Sequence, residues 1–252
     1  MIQRMKKVGL YQAAVGFEAS TPYSLEVLNK RATIEDNYRA NNLFTRNYIN
    51  VFGFLIMFHP YTSFEELKTN ANFLLEMDMA YQPQNWWSEL YLWPDSRILP
   101  NIVRDGLLLG PEHRGYQLLY AFQDGRVGKV HKVLQEIGDL GSIRSYTESI
   151  EKVKLECILY DVWKDQYEEM RVIEDEMQAY QELYKNTRKV VGSKQYEIFM
   201  RLLEAVESNT LQSQKDALIK EWDELGLTNY QELERNWVRF RMQFGRKKVV
   251  LI

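Results

Sequence analysis

Cysteine is almost missing from this chain, whose 252 residues contain one, Cys157. A single thiol can build neither an internal disulfide nor a multi-cysteine zinc site, and it cannot hold an iron-sulfur cluster, which takes several thiolates. With Leu155, Ile158 and Leu159 nearby, Cys157 reads as a small core residue. Histidine is scarce as well. His59, His113 and His131 stand far apart, and none has an acid or a second histidine at a helical spacing that compels a metal site. There is no basic excess, the net charge being -3, so composition argues against a general nucleic-acid footprint. The one basic run, Arg239 to Lys248, reads as a solvated helix end whose cations suit the negative pole of the helix dipole. No apolar run approaches the roughly 20 residues that span a bilayer. Met1 to Lys7 is charged, with no apolar stretch of signal-peptide length behind it. The expectation is a cytoplasmic protein with no nucleic-acid or membrane partner.

Proline is confined. All six prolines fall between Pro22 and Pro111, and the rest is dense in Glu, Lys, Gln, Leu and Met, which favour helix. The shift predicts two parts: residues 1–110 alternating strand-like and helix-like segments, the pattern of parallel α/β units, and residues 111–252 as an all-α domain.

In the first part, Met1 to Val8 reads as the end of a helix stopped by Gly9. Strands are expected at Tyr11 to Glu18, Tyr48 to Phe58 and Trp87 to Trp93. Between them come a helical turn at Ser24 to Leu28, a helix capped by Thr33 with Glu35 and Asp36 in its first turn, and a helix opened by Thr62-x-x-Glu65 or Ser63-x-x-Glu66. In the second part, helices are expected at Val127 to Ile137 and, as one or two, from Ile143 to about Asn186. Three more follow at Tyr196 to Val206, Leu211 to Leu225 and Tyr230 to Phe244, the last capped by Thr228 or Asn229. Tyr180, Phe199, Trp222 and the other aromatics there read as core anchors.

The stretch Val15 to Lys30 organises the first part. Small and apolar residues from Tyr11 to Phe17 deliver one carboxylate, Glu18, where a strand should end and a Ser/Thr/Pro turn begin. In α/β proteins, ligands are held at such strand ends. From the residues alone Glu18 also reads as a capping or salt-bridged turn carboxylate. Lys30 and Arg31 also read as an exposed pair, Ile56, Met57 and Phe58 as strand core, and Trp93-Pro94 as an ordinary strand-ending turn.

Gly16-Phe17-Glu18-Ala19, Leu28-Asn29-Lys30, Thr33-x-Glu35-x-Asn37 and Gly53-Phe54-Leu55-Ile56-Met57-Phe58-His59-Pro60-Tyr61-Thr62-Ser63-x-Glu65-Glu66-Leu67 follow in order. Together they resemble the second half of the radical S-adenosylmethionine (SAM) barrel, nearest the group in which a cobalamin-binding domain often precedes that barrel. The resemblance covers about residues 8 to 137. It implies an α/β fold, a partial (half) TIM-type barrel of about three parallel strands, followed by the helical domain. It implies that Glu18 contacts the polar groups of SAM, that Lys30 or the adjacent Arg31 meets its carboxylate, and that Ile56, Met57 and Phe58 pass along the adenine. Trp93 and Pro94 would face adenine or substrate, and cobalamin is an allowed second cofactor.

The family's Cys-x-x-x-Cys-x-x-Cys loop, its first three strands and its glycine-rich segment have no counterpart here. The expectation is therefore a C-terminal portion or subunit, completed by a preceding part or a partner chain that carries the 4Fe-4S cluster, and not active alone. The alternative is a noncatalytic protein-interaction module built from a degenerate half-barrel and helix bundle. A self-contained hydrolase finds no support, since neither Gly-x-Ser-x-Gly nor His-Glu-x-x-His occurs.

Overall fold

A computed structural model describes residues 1–111, 117–164 and 168–246. His113, Tyr116 and the end of the basic run beyond 246 lie outside the described residues, as do the side chains of 168–170 and 243–246.

The helix α1 (Ile2–Lys7) ends as expected before Gly9, whose φ is +100°. It leads into β1 (Gln12–Glu18), which pairs in parallel with β2 (Asn50–Leu55). Between them lie α2 (Pro22–Val27), capped by the Thr21 hydroxyl, and α3 (Ile34–Arg46), where Thr33 and Asp36 form a reciprocal capping box. The next helix, α4 (Phe64–Glu76), is capped by Ser63. The competing candidate Thr62 instead accepts the His59 N–H at 2.9 Å.

The third strand is reduced. Trp87 closes a short helix, α5 (Gln84–Trp87), so the expected strand from Trp87 to Trp93 does not form as such. Glu89 makes a single parallel bridge to Phe58, and Leu92 an antiparallel one to Leu118. Of the aromatics that suggested a strand, Tyr91 and Trp93 are exposed, and Trp87 packs beside Gly138; the preceding Trp86 is fully enclosed, and its indole N–H bonds the Ala80 carbonyl at 2.8 Å and Gln195 Oε1 at 2.9 Å. After α6 (Leu99–Arg104) comes an unanticipated antiparallel pair, β3 (Leu108–Pro111) with β4 (Leu118–Tyr120). The parallel part is thus two strands and one bridge.

Helices follow at α7 (Gly125–Gly138), capped by Asp124, and α8 (Gly141–Trp163). A 3-10 turn (Glu168–Ile173) then leads to α9 (Glu174–Glu207), and α10 (Leu211–Arg246) completes the bundle. Tyr196 to Val206 is the tail of α9 rather than a separate helix, and the two expected segments within 211–244 are one helix. Helix α10 runs through Gly226 without a break, and α8 packs close to it there, since a Cβ would meet Ile143 Cδ1 at 2.7 Å. Asn229 is no cap, its amide donating to the Leu225 carbonyl one turn back.

One core takes residues from both sides of position 110. Phe17, Leu55, Phe64, Leu74 and Trp86 join Val130, Leu134, Phe199, Leu202 and Trp222. A second core, around Tyr146, Val153, Tyr180 and Leu233, lies among α8, α9 and α10. No helix among the described residues is long and apolar enough to cross a membrane.

The sheet has one face against α4, with Phe17 edge-on to Phe73 at 6.0 Å between ring centroids. On the other face Ala14, Gly16 and Phe54 are exposed. Tyr11 gives its carbonyl to the Asn50 N–H at 2.9 Å. Strand alternation then turns the peptide groups of Gln12, Ala14 and Gly16 to the outer margin, where no described strand pairs with β1.

Candidate functional site at the strand ends

The C-terminal end of β1 is built around Glu18. The pairing register slips between Gly16 and Glu18, a bulge that re-aims the side chain after it. Glu18 has φ 67°, and the Ala19 N–H bonds the Phe17 carbonyl at 2.8 Å, closing a γ-turn of the left-handed kind. Such a conformation costs an L-residue about 1–3 kcal/mol, and strain of this sort gathers where a side chain must be held in place. Two contacts hold it. The Glu18 carbonyl accepts the Ile56 N–H at 2.8 Å, and the buried Asn37 amide donates to the Phe17 carbonyl at 3.1 Å and the Ala19 carbonyl at 3.2 Å.

The carboxylate folds back over Gly16. A Cβ at that position would lie 2.6 Å from Glu18 Oε1, so a larger residue would push the carboxylate aside. Lys30 donates to the same oxygen at 2.8 Å. The chain turns just after α2 at Asn29, whose φ is 55°, and Lys30 follows it. The pair is partly solvated, with side-chain exposures of 42% for Lys30 and 25% for Glu18. Ion pairs in such settings contribute roughly 0–1 kcal/mol, so this one opens at little cost when a ligand competes for either charge. A hollow of about 370 Å³ adjoins Lys30, with Pro22, Leu25, Asn29 and Thr33 in its walls, but Glu18 is not among them. The geometry of the strand end, rather than that hollow, identifies the site.

Behind the pair, a buried polar network ties the two strand ends to α4. Ser20 donates to Asn70 Oδ1 at 2.5 Å, and Asn70 donates to the Met57 carbonyl at 3.2 Å. The Tyr61 N–H donates to His59 Nδ1 at 3.3 Å, which leaves the ring proton on Nε2, 2.7 Å from Ser24 Oγ. Ser24 in turn donates to Glu66 Oε1, which also accepts from Thr21 at 2.8 Å. Ser24, His59 and Glu66 thus stand together like parts of a hydrolytic triad, but the proton flow is wrong. A nucleophilic serine must give its proton to histidine, whereas here the imidazole donates to the serine and the serine donates to the carboxylate. Burial holds the His59 pKa down at about 4, so the ring is neutral at pH 7. The network is scaffolding. Sequence reading missed it because its members are ordinary turn and capping residues, although Ser20, Ser24, His59 and Asn70 crowded around two strand ends were a visible sign.

The other expected site residues are distributed unevenly. Arg31 is exposed beside Lys30. Ile56 is half-buried and follows β2 directly. Met57 and Phe58 are fully buried, and their main chains are engaged: the Met57 N–H with Ser88 Oγ at 3.2 Å, and Phe58 with the Ser88 carbonyl at 3.0 Å and the Leu90 N–H at 2.8 Å. Trp93 is 48% exposed in a turn closed by its N–H on Ser96 Oγ at 2.9 Å. Among the described residues, no hydrogen bond or ion pair joins it to Glu18 or Lys30.

The cluster chemistry does not fit this chain's own residues. Cys157 is buried in α8, its thiol pushed up to about 12 chiefly by burial, and no group of three metal-ligating side chains occurs among the described residues. The Glu18–Lys30 pair offers an acceptor and a cationic donor at a strand end.

No family model matches the chain, and no curated protein does. Two solved structures do, both of the cobalamin-dependent S-adenosylmethionine radical enzyme OxsB. One has aqua-cobalamin bound, with a TM-score of 0.52, and the other has aqua-cobalamin and S-adenosylmethionine bound, with a TM-score of 0.53. Identity is 14% in each case. The match covers 99% of this chain but only 40% of the OxsB chain, so this chain has the fold of part of a cobalamin-dependent radical SAM enzyme.

Proposed function

We propose that this chain is the C-terminal portion, or a subunit, of a radical SAM enzyme, and that it positions SAM and substrate at the ends of β1 and β2. The observation that carries the reading is the strained, doubly clamped turn that presents Glu18 to Lys30 at a parallel strand end. With its 4Fe-4S cluster, SAM supplies the radical chemistry, and the cluster belongs to a preceding part or a partner chain. This chain's own residues bind and orient: Glu18 accepts from donor groups of SAM, and Lys30, with Arg31 beside it, meets the carboxylate. The bare margin of β1 is where a completing strand would add, and the exposed face of Ala14, Gly16 and Phe54 is left for the completing part to cover. The bound cobalamin of OxsB makes cobalamin a compatible cofactor of the completed assembly.

The test is SAM affinity, measured by equilibrium dialysis with the chain assembled with its cluster-bearing half. Glu18→Ala is expected to weaken binding about tenfold, the size of one charge-assisted hydrogen bond. Full affinity in that variant removes the assignment. A second reading, a noncatalytic interaction module, draws on the same bare margin. A stable partner complex whose formation and stoichiometry ignore SAM altogether would decide for it.

A further inference from the structure

Glu18 is held by a residue that touches no part of the proposed ligand. Asn37 is 5% exposed and lies in the first turn and a half of α3. Its two amide hydrogens go to two carbonyls, those of Phe17 and Ala19, the residues flanking Glu18. Because both partners are acceptors, the atom facing them must be the nitrogen. The bridge spans the γ-turn and fixes both peptide planes whose rotation would let Glu18 relax to an ordinary negative φ. Without it, the turn keeps one internal hydrogen bond and the link from the Glu18 carbonyl to Ile56, neither of which holds the Phe17 carbonyl and the Ala19 carbonyl on the same side. The capping box at Thr33 anchors Asn37 in turn, since the Asn37 N–H bonds the Thr33 carbonyl at 3.2 Å.

We propose that Asn37 is a positioning residue: through its two hydrogen bonds it keeps Glu18 in the left-handed conformation, and so sets the carboxylate over Gly16 where Lys30, and SAM under the reading above, can reach it. The role in ligand binding rests on that reading; the role in shaping the turn does not.

Two measurements separate them. The first is made by NMR on the chain alone, from the Glu18 amide-to-Hα coupling and carbon shifts, which report its φ. Wild-type protein should show the left-handed signature, and Asn37→Ser, too short to bridge the carbonyls, should lose it while the amide spectrum of α4 and α9 stays in place. If Asn37→Ser does not fold, Asn37→Asp serves. Its carboxylate oxygens accept and do not donate, so it bridges neither carbonyl and the Glu18 signature should be lost in it as well. A wild-type Glu18 with an extended-strand coupling, or an unchanged signature in a folded Asn37 variant, overturns the proposal. The second measurement is SAM titration of the assembled enzyme as a double-mutant cycle. Asn37→Ser should weaken SAM about tenfold in the wild-type background and not at all in the Glu18→Ala background, a non-additivity that general destabilisation would not produce. Equal losses in both backgrounds overturn it. If wild-type assembly binds no SAM, the functional reading falls and the first measurement alone decides the role of Asn37.

Discussion

Trp86→Ala is expected to lower the unfolding free energy by about 4 kcal/mol, within the range for deleting a buried tryptophan. The side chain is completely enclosed, with its ring 5.0 Å from Phe199 and 6.0 Å from Trp222 between centroids. Truncation would open a cavity and leave the Ala80 carbonyl and the Gln195 amide oxygen, both buried, without their donor. Since α5, α9 and α10 all meet at this ring, the loss should appear as one cooperative transition, with sheet and bundle unfolding together at a lower denaturant midpoint. Trp86→Phe should cost less, about 1–2 kcal/mol, because most of the volume remains and chiefly the hydrogen bonds are lost. Chemical denaturation followed by tyrosine and tryptophan fluorescence and by circular dichroism checks both. Separate transitions in the alanine variant would contradict the shared core.

Acid should act mainly through His59. Its folded pKa is held at about 4 by burial, below the ordinary 6.5. The unfolded chain therefore binds the proton more readily than the folded one between these values. For a base with a depressed folded pKa, the stability is fully present above pH 6.5 and is lost as pH falls toward 4. The size is about 3 kcal/mol, from 2.5 units at 1.36 kcal/mol each. Mechanically, the added proton arrives at Nδ1, which is occupied by the Tyr61 N–H, so protonation forces that turn apart. Folded-state carboxylates with lowered pKa values, Asp36, Asp105, Asp124 and Glu234, lose stability further down the same axis. The comparison that isolates the imidazole is therefore wild type against His59→Gln, each titrated from pH 7 to pH 4. The variant should be less stable at pH 7 yet flatter, and parallel curves would contradict the assignment.

Much of the α/β part was legible because its signals are local. Thr33 followed by Asp36, and Ser63 followed by Glu66, announce helix starts through hydrogen bonds within four residues. Order along the chain and the resemblance put Glu18 at a strand end and Lys30 after the next helical turn, but the ion pair between them was not read from the sequence and is seen only in the fold. The strain at Glu18 and the Asn37 bridge were not legible, since both depend on a bulge that no residue type announces. The third strand misled for a different reason. Trp87 carries strand propensity, but its packing beside Gly138 of α7 outweighed it, and propensity is weak against packing. The long helices misled in the opposite direction: Thr228 or Asn229 was expected to cap a new helix, but α10 runs unbroken through both, and the Asn229 amide bonds the Leu225 carbonyl one turn back.

The length of α10 has its own consequence. Its 36 residues rise about 54 Å at 1.5 Å each. Trp222, about a third of the way along, sits in one core, while Leu233 and Phe240 farther along sit in the other. The helix therefore works as a ruler between them. Inserting a single residue between Trp222 and Leu233 would rotate everything beyond by about 100°, swinging Phe240 away from the Tyr180 ring it stacks on. Substitutions along its outer surface are cheap by comparison, so variation in this rod should be limited to changes of letter, with its count of residues held fixed.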